Sequence, residues 1–478
     1  MSRDYNAALE KLALLQSNRI VTSLFESSEK KSPQDLNALA IPEMLEWLRR
    51  AGYSPQDLVR MRHIHVAGTK GKGSVCAYAT AMLAKYRPVG TYTSPHLVNV
   101  RERIAINGEP VGKEAFASAF FEVWDRLTEA AVKEGMAPAE AEGTASKPFY
   151  FRFLTILAWH IFLNEGIKDV VIECGIGGEY DSTNVLPAEA VSAAVISQLG
   201  IDHVAMLGDT VEKISWHKAG ILKPGVKGFT LKLDEQPGVM KVLRERAAEK
   251  KAELVEIENE DIERWDGVSG LLKGDFQKKN QALAVMAVRE HLGMREDKPL
   301  ENIPKEMIEG LQEAKLRGRC EVINDGTAEW LLDGAHTKDS LEEVAKWSIQ
   351  HSSADEPLIL VFNQQERNIA QLLADFVEAT KREAGRQDIF QHAIFTRNEI
   401  PRPPDGELRD IDVQKQAAET MRGLVPGCDV QIFDNTADSV AEAKRLAQGQ
   451  DDGGARKKRV LVTGSLHLVG SVLQVLES

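Results

Sequence analysis

Cysteine is scarce in this chain of 478 residues, and its four cysteines (Cys76, Cys174, Cys320 and Cys428) lie far apart with no CxxC pair. That spacing argues against a disulfide framework or a zinc site and fits a reducing compartment. No stretch approaches the roughly 18 charge-free apolar residues of a membrane span. The opening MSRDYNAALEKLALLQSN carries acids early and lacks the apolar core of a signal peptide. It reads instead as a helix with Ala8, Leu9, Leu12 and Leu15 on one face. A basic excess is also missing: 59 Lys and Arg against 72 Asp and Glu leave a net charge of -13. A long nucleic acid is therefore disfavoured as main partner, although a local basic site for a small anion is compatible with an acidic surface. No internal repeat of solenoid length is present. The expectation is a soluble intracellular protein.

What is present is ordinary globular composition, with 43% hydrophobic and 27% charged residues. The length exceeds the roughly 250–300 residues at which one core stops growing, so at least two domains are expected. Strand-like runs alternate with helical patterns. Residues 61–67, 89–93, 169–175 and 190–197 read as strands, 113–133 and 150–164 as helices, and 135–147 as a small-residue surface loop. A second series begins after the basic stretch at 315–319, with strands EVIND, EWLLDG, LILVFN, HAIFT, VQIFD and RVLVTGS. Helical patterns separate most of them, near 338–350, 366–381, 413–423 and 436–447, and 448–458 reads as a flexible loop. The fold class is α/β in two domains, residues 1–317 and 318–478, each built on a mainly parallel sheet with helices on both faces.

The most specific local signal is HIHVAGTKGKGSVCAYA. An apolar strand feeds Gly68, Thr69, Lys70, Gly71, Lys72, Gly73 and Ser74, and a helix follows. Glycines let the backbone turn several N–H groups toward one anion, and the helix N-terminus adds its dipole. Lys72 is placed for β- and γ-phosphates and the Ser74 hydroxyl for Mg²⁺, although Gly73 separates the lysine from the serine, unlike the strict P-loop pattern. The bland alternative is a Gly-rich turn.

Glu173 ends the strand VVIE, where open α/β sheets place their ligands. It reads equally as a Mg²⁺ ligand with Ser74 and as a buried glutamate paired with a lysine. Gly175, Gly177 and Gly178 then allow close backbone approach, which favours the functional reading. His203, in LGIDHVAMLGD, reads equally as a metal or proton group and as a structural histidine. By pattern alone Lys218 is an exposed helical lysine.

At this point the residues resemble a known family. VAGTKGKGS, YTSPHLVNVRERI, YFRFLT, ECGIGGEYDSTN, LGIDHVAMLGDTVEKI, KAGILK, LLDGAHT and VLVTGSLHLVG stand in the order found in folylpolyglutamate synthases of the Mur ligase group, from about residue 60 to 470. TSPHLVNVRERI and GSLHLVG match the eukaryotic members particularly closely. The resemblance implies a P-loop ATPase-like N-terminal domain and a Rossmann-like C-terminal one, with ATP and Mg²⁺ as cofactors and K⁺ as a further one. It implies an ATP-dependent ligase that adds L-glutamate to the γ-carboxylate of folyl glutamates through an acyl phosphate. Ser74 and Glu173 would ligate one Mg²⁺ and His203 a second, and Lys218 matches a lysine that is carbamylated in many members. Asn280 in GDFQKKNQALA matches an adenine-holding asparagine, with Gln277 in the same segment. Arg319 matches an arginine that reaches the phosphates. Asp333 and His336 match nucleotide- and substrate-contacting residues, with Thr337 where many members have asparagine.

Ser465 is a candidate for the glutamate side, and Thr93, Ser94, Pro95 and His96, in TSPHL, match the loop that shapes the folate pocket. FNQQERN (362–368) departs from the usual Gly-Asp-Arg-Asp-like stretch, with Arg367 as a stand-in for its arginine. The expected catalytic set is Lys72, Lys218, Arg319 and His336. Small-molecule substrates, no nucleic acid or membrane partner, a monomer and a cytoplasmic location complete the expectation, with a mitochondrial form from another start site. Dihydrofolate synthase stays open as an alternative, as does a silent folate- or nucleotide-binding paralogue. A cell-wall Mur ligase and a P-loop ATPase that moves a partner protein rank lower.

Overall fold

A computed structural model describes residues 2–15, 33–352, 357–364, 368–404, 409–448 and 458–478. Arg367 and most of the tract expected to form a flexible loop, 449–457, lie outside the described residues. The chain divides into two compact units: Met1–His96 with Val100–Leu271 and Phe276–Lys315, and Leu97–Asn99 with Leu272–Asp275 and Leu316–Ser478.

The first unit is built on an eight-stranded sheet among the described residues. Its strands are β1 (Arg62–Ala67), β2 (Val89–Tyr92), β3 (Ile104–Ile106), β4 (Glu109–Pro110), β5 (Asp169–Glu173), β6 (Val191–Ile196), β7 (Lys227–Leu231) and β8 (Glu253–Ile257), in the order β4-β3-β2-β5-β1-β6-β7-β8. The pairs from β2 through β8 are parallel, whereas β3 and β4 add antiparallel strands at one edge. Helices cover both faces of β1, β5 and β6, which explains the apolar runs of β5 and β6 and the burial of His63 and His65 within β1. Helix Lys113–Lys133 puts Phe116, Phe120, Val123, Trp124 and Leu127 on one buried stripe, and Phe120 meets Phe153 of helix Tyr150–Asn164 at 4.9 Å between ring centroids.

Two features of this unit depart from the sequence expectation. Residues 135–147 are no simple surface loop: they contain helical turns at Pro138–Ala141 and Thr144–Ser146, and they bury Lys147. The Lys147 ammonium donates to Ala141 O at 2.8 Å, Ser146 Oγ at 2.6 Å and Thr128 Oγ1 at 2.9 Å. Small residues close that turn around an amine whose hydrogen bonds composition cannot show. Strands β7 and β8 were also unforeseen, because Gly228 and Thr230 interrupt β7 and Glu256 breaks the short apolar pair Leu254–Val255 of β8.

The second unit carries a six-stranded sheet among the described residues. It comprises β9 (Glu321–Asn324), β10 (Glu329–Leu332), β11 (Leu358–Phe362), β12 (Phe390–Phe395), β13 (Asp429–Ile432) and β14 (Arg459–Thr463), ordered β13-β12-β11-β14-β10-β9. Only the β9–β10 pair is antiparallel. All five residues of β11 are buried because its side chains alternate between two cores. Leu358, Leu360 and Phe362 pack with Trp347 and Phe376, while Ile359 and Val361 pack with Trp330 and Val469. The chain passes from β10 to β11 across the place later filled by β14, so loops diverge at the C-terminal ends of β10, β14 and β11. Such a switch point is where open α/β sheets bind ligands. Among the described residues no helix is long and apolar enough to cross a membrane.

Candidate active site

In the first unit, the loop that follows β1 lies between the ends of β5 and β6, the two strands that flank β1 in the sheet. Thr69 N and Lys70 N both donate to Gln198 O, at 2.9 and 3.0 Å, and Ser197 Oγ donates to Lys70 O at 2.8 Å. These bonds tie the loop's entry to the β6 side. Its exit opens helix Lys72–Ala84, whose first amides have no acceptor within the helix. Gly71 caps that helix with φ +84°, a conformation that favours glycine, and a Cβ there would collide with the Asn280 amide. Asn280 Nδ2 donates to Gln277 Oε1 at 3.0 Å, and Gln277 Nε2 reaches Ser74 Oγ at 3.4 Å. All three side chains are buried. Asn280, the expected adenine-side residue, and Gln277 of the same segment thus form a polar chain behind the Gly-rich loop.

On the β5 side stands Glu173, 4% exposed. Its Oε2 accepts from Ser94 N at 3.1 Å and its Oε1 lies 3.9 Å from Lys72 Nζ, which also donates to Gly68 O at 3.1 Å. Glu173 is thus a buried glutamate beside a lysine, and it also faces the loop. The Ser74 hydroxyl and the Glu173 carboxylate are hard oxygen donors of the kind Mg²⁺ takes together with phosphate and water. Among the described residues, no group of three or more His, Cys, Asp and Glu side chains is gathered to hold a metal ion. His203 is exposed and left-handed, with φ +44°, at the start of the short helix Val204–Leu207.

Lys218 corrects the sequence reading. It is 1% exposed, and its ammonium donates to Gly68 O at 2.8 Å and to Asp202 Oδ2 at 3.1 Å. Burial, with Lys72 nearby, pulls its pKa down to about 8. Helix Val211–Lys218 buries this last residue because the loop after β5 presses on it: a Cβ on Gly178 would sit 2.8 Å from the carbonyls of both His217 and Lys218. Helical periodicity could not show that approach. Asp202 and Asp181 lay inside quoted motifs without being singled out. Asp181 is buried and receives Gly175 N at 2.9 Å, Ile176 N at 3.1 Å, Thr183 N at 2.9 Å and Thr183 Oγ1 at 2.6 Å, which fixes the loop after Glu173. Burial raises its pKa against those hydrogen bonds.

The loop Thr93–His96 leaves β2 beside Glu173, with a cis Ser94–Pro95 bond. Thr93 N donates to Arg103 O at 3.0 Å, and Arg103 Nε donates to His96 Nδ1 at 2.9 Å, so both ends of the loop are tied to Arg103. Arg103 sits over the Tyr150 ring at 5.4 Å.

In the second unit, the remaining candidates collect at the switch point. Asp333 follows β10 and accepts Cys320 N and Ala335 N, each at 2.8 Å, so it pins the Arg319–Cys320 turn to its own. Burial pushes the pKa of Asp333 up, opposed first by the Arg319 guanidinium. His336 Nδ1 lies 3.0 Å from Gly334 O. Ser465 follows β14 and caps helix Leu466–Leu476, its hydroxyl accepting Leu468 N at 3.4 Å.

No protein-family model matches the chain. It is 38% identical over 503 residues to a folylpolyglutamate synthase of Neurospora crassa, covering all of this chain and 92% of that one. It is also 38% identical over 502 residues to a folylpolyglutamate synthase of Saccharomyces cerevisiae, covering all of this chain and 88% of that one. Among solved structures it resembles Mycobacterium tuberculosis folylpolyglutamate synthase complexed with ADP, with a TM-score of 0.72, 22% identity and coverage of 98% of this chain and 99% of that one. It also resembles E. coli FolC in complex with DHPP and ADP, with a TM-score of 0.64, 22% identity and coverage of 97% and 99%. At such identity the structural likenesses speak for the two-domain fold.

Proposed function

The chain belongs to the folylpolyglutamate synthase family, and from that premise we propose that it joins the amine of L-glutamate to the γ-carboxylate of a folyl glutamate through an acyl phosphate. It is an ATP-dependent ligase. The observation that carries the reading is the meeting, at the ends of β1 and β5, of a Gly-rich phosphate loop, the Lys72–Glu173 pair and the Thr93–His96 loop tethered to Glu173.

A carboxylate is a poor acyl donor, so the first step forms a bond from its oxygen to the γ-phosphorus of ATP and releases ADP. Positioning and charge neutralisation supply most of the catalysis in such transfers. The free amides that begin helix Lys72–Ala84 bind the phosphates, and Lys72 offsets their charge. Ser74 and Glu173 are the residues that would hold Mg²⁺, with His203 assigned to a second ion, and the metal supplies further charge neutralisation when bound. The glutamate nitrogen then attacks the activated carbon, phosphate leaves with the bonding pair, and the amine gives up a proton. We assign that proton to His336, glutamate binding to His336 and Ser465, and charge neutralisation to Arg319. Lys218 is assigned as a carbamylation site: its amine is shielded from bulk water, and its lowered pKa leaves part of it neutral, the form that reacts with CO₂.

The test is ATP-dependent incorporation of labelled glutamate, with a tetrahydrofolyl acceptor and dihydropteroate offered separately. Incorporation into the tetrahydrofolyl acceptor is expected. Incorporation into dihydropteroate alone would make the chain a dihydrofolate synthase.

A further inference from the structure

The stretch FNQQERN (362–368) supplies a side chain that the mechanism above does not use. Gln364 stands two residues beyond β11 and is 5% exposed. Its Nε2 donates to His336 O at 3.3 Å and to Gly464 O at 3.2 Å. His336 belongs to the loop after β10, and Gly464 directly precedes Ser465 after β14. One carboxamide therefore spans the loops of three neighbouring strands at the switch point of the second sheet.

A primary amide suits this position. Its two N–H groups diverge from one nitrogen, so one side chain can satisfy two carbonyls that approach from different loops. A carboxylate would turn lone pairs toward both carbonyls. A shorter amide would reach one of them at most. Neighbouring polar groups face the other way: Asn363 donates to Asn398 Oδ1 at 2.8 Å and accepts from Gln414 Nε2 at 2.9 Å, toward helix Asp412–Leu424. Gln364 alone of these amides reaches the two loops that carry the glutamate-side candidates.

We propose that Gln364 is a positioning residue that fixes the distance between the His336 and Ser465 loops and so sets the enzyme's hold on the incoming amino acid. The inference rests on the assignment of His336 and Ser465 to glutamate. Gln364 acts through backbone carbonyls and does not touch the substrate. Its loss lets the two loops drift apart, which weakens capture of glutamate and leaves the phosphate loop of the other unit as it was.

The test compares full-length Gln364→Met, of similar length with no donor, and Gln364→Asn with Gln414→Met, which removes a buried amide of the same polar network. Steady-state constants are measured for glutamate and for ATP, together with hydrogen exchange of residues 334–337 and 464–468. Gln364→Met should raise the glutamate KM roughly ten-fold or more, as two buried hydrogen bonds are lost, and should speed exchange in both loops. Gln364→Asn should fall between it and the wild type, and the ATP KM should stay within about two-fold. Gln414→Met should lower stability without moving the glutamate KM. An unchanged glutamate KM in Gln364→Met, beside a raised one in His336→Ala or Ser465→Ala, overturns the role of Gln364 alone. If all of these variants leave it unchanged, the assignment of the loops falls as well. Equal rises for Gln364→Met and Gln414→Met would reduce Gln364 to a structural residue.

Discussion

Gly71 offers a measurement in which backbone strain and side-chain collision can be separated. Gly71→Ala puts a Cβ on a residue at φ +84°, which costs about 1–2 kcal/mol for a left-handed backbone. The same Cβ collides with the Asn280 amide, which must move and release its 3.0 Å hydrogen bond to Gln277. Breaking a buried amide pair adds about 1–3 kcal/mol, so the substitution should cost about 2–5 kcal/mol in total. Asn280→Ala alone loses only the hydrogen bond. In the double variant the bond is counted once, so the two costs should fall short of additivity by about 1–3 kcal/mol. Chemical denaturation of the four proteins measures this coupling, and calorimetric titration with a non-hydrolysable ATP analogue reads the loop itself. Gly71→Ala should weaken analogue binding, and adding Asn280→Ala to it should cost little further stability and should not restore affinity to the wild-type value. Costs that add to within about 0.5 kcal/mol would refute the collision, leaving only the strain of the turn.

Three further outcomes are expected. Lys72→Ala and Glu173→Ala should each abolish glutamate incorporation by 100-fold or more, roughly the scale of a lost electrostatic group at a reacting centre, and near-normal turnover in either would remove it from the machinery. Lys218→Met leaves Asp202 without its 3.1 Å partner, so the variant should lose about 1–3 kcal/mol of stability, and intact-mass analysis under bicarbonate should lose any carbamyl adduct; the same adduct on the variant would place it elsewhere. Burial holds the pKa of His63 down at about 4, against about 6.5 in the unfolded chain. The unfolded state therefore takes up the proton first as pH falls from about 6.5 to 4, and stability drops over that window, by about 2 kcal/mol at pH 5. A neutral replacement, His63→Gln, should flatten the difference between pH 7 and pH 5 by that amount, and an unchanged slope would assign it to another group.

Much of this protein was legible from local pattern because its central strands are buried on both faces. β5, β6 and β11 are short apolar runs bounded by glycine or polar residues, and covering helices on both sides leave no other reading. The Gly-rich loop was equally plain, since its residue types and their place between a strand and a helix are matters of adjacent sequence. Glu173 could be located at a strand end for the same reason. The ordered motifs identified the family, because eight blocks in register constrain the chain more than any one of them does.

Other assignments depended on residues far apart in the chain. Lys218 follows helical spacing that suits an exposed lysine, and only the approach of Gly178 and the Gly68 and Asp202 oxygens makes it a buried amine. Asn280 and Gln277 stand about 200 residues after Ser74, yet they line the back of its loop. Gln364 carries no local signal of a role, and its two carbonyl partners become neighbours only because β14 inserts between β11 and β10. Sequence determined which groups could bind phosphate and where each strand would end, because those depend on neighbouring residues. Tertiary structure decided which groups are buried and which carbonyls they face, because burial and hydrogen-bond partners are set by segments that meet only when the sheets close.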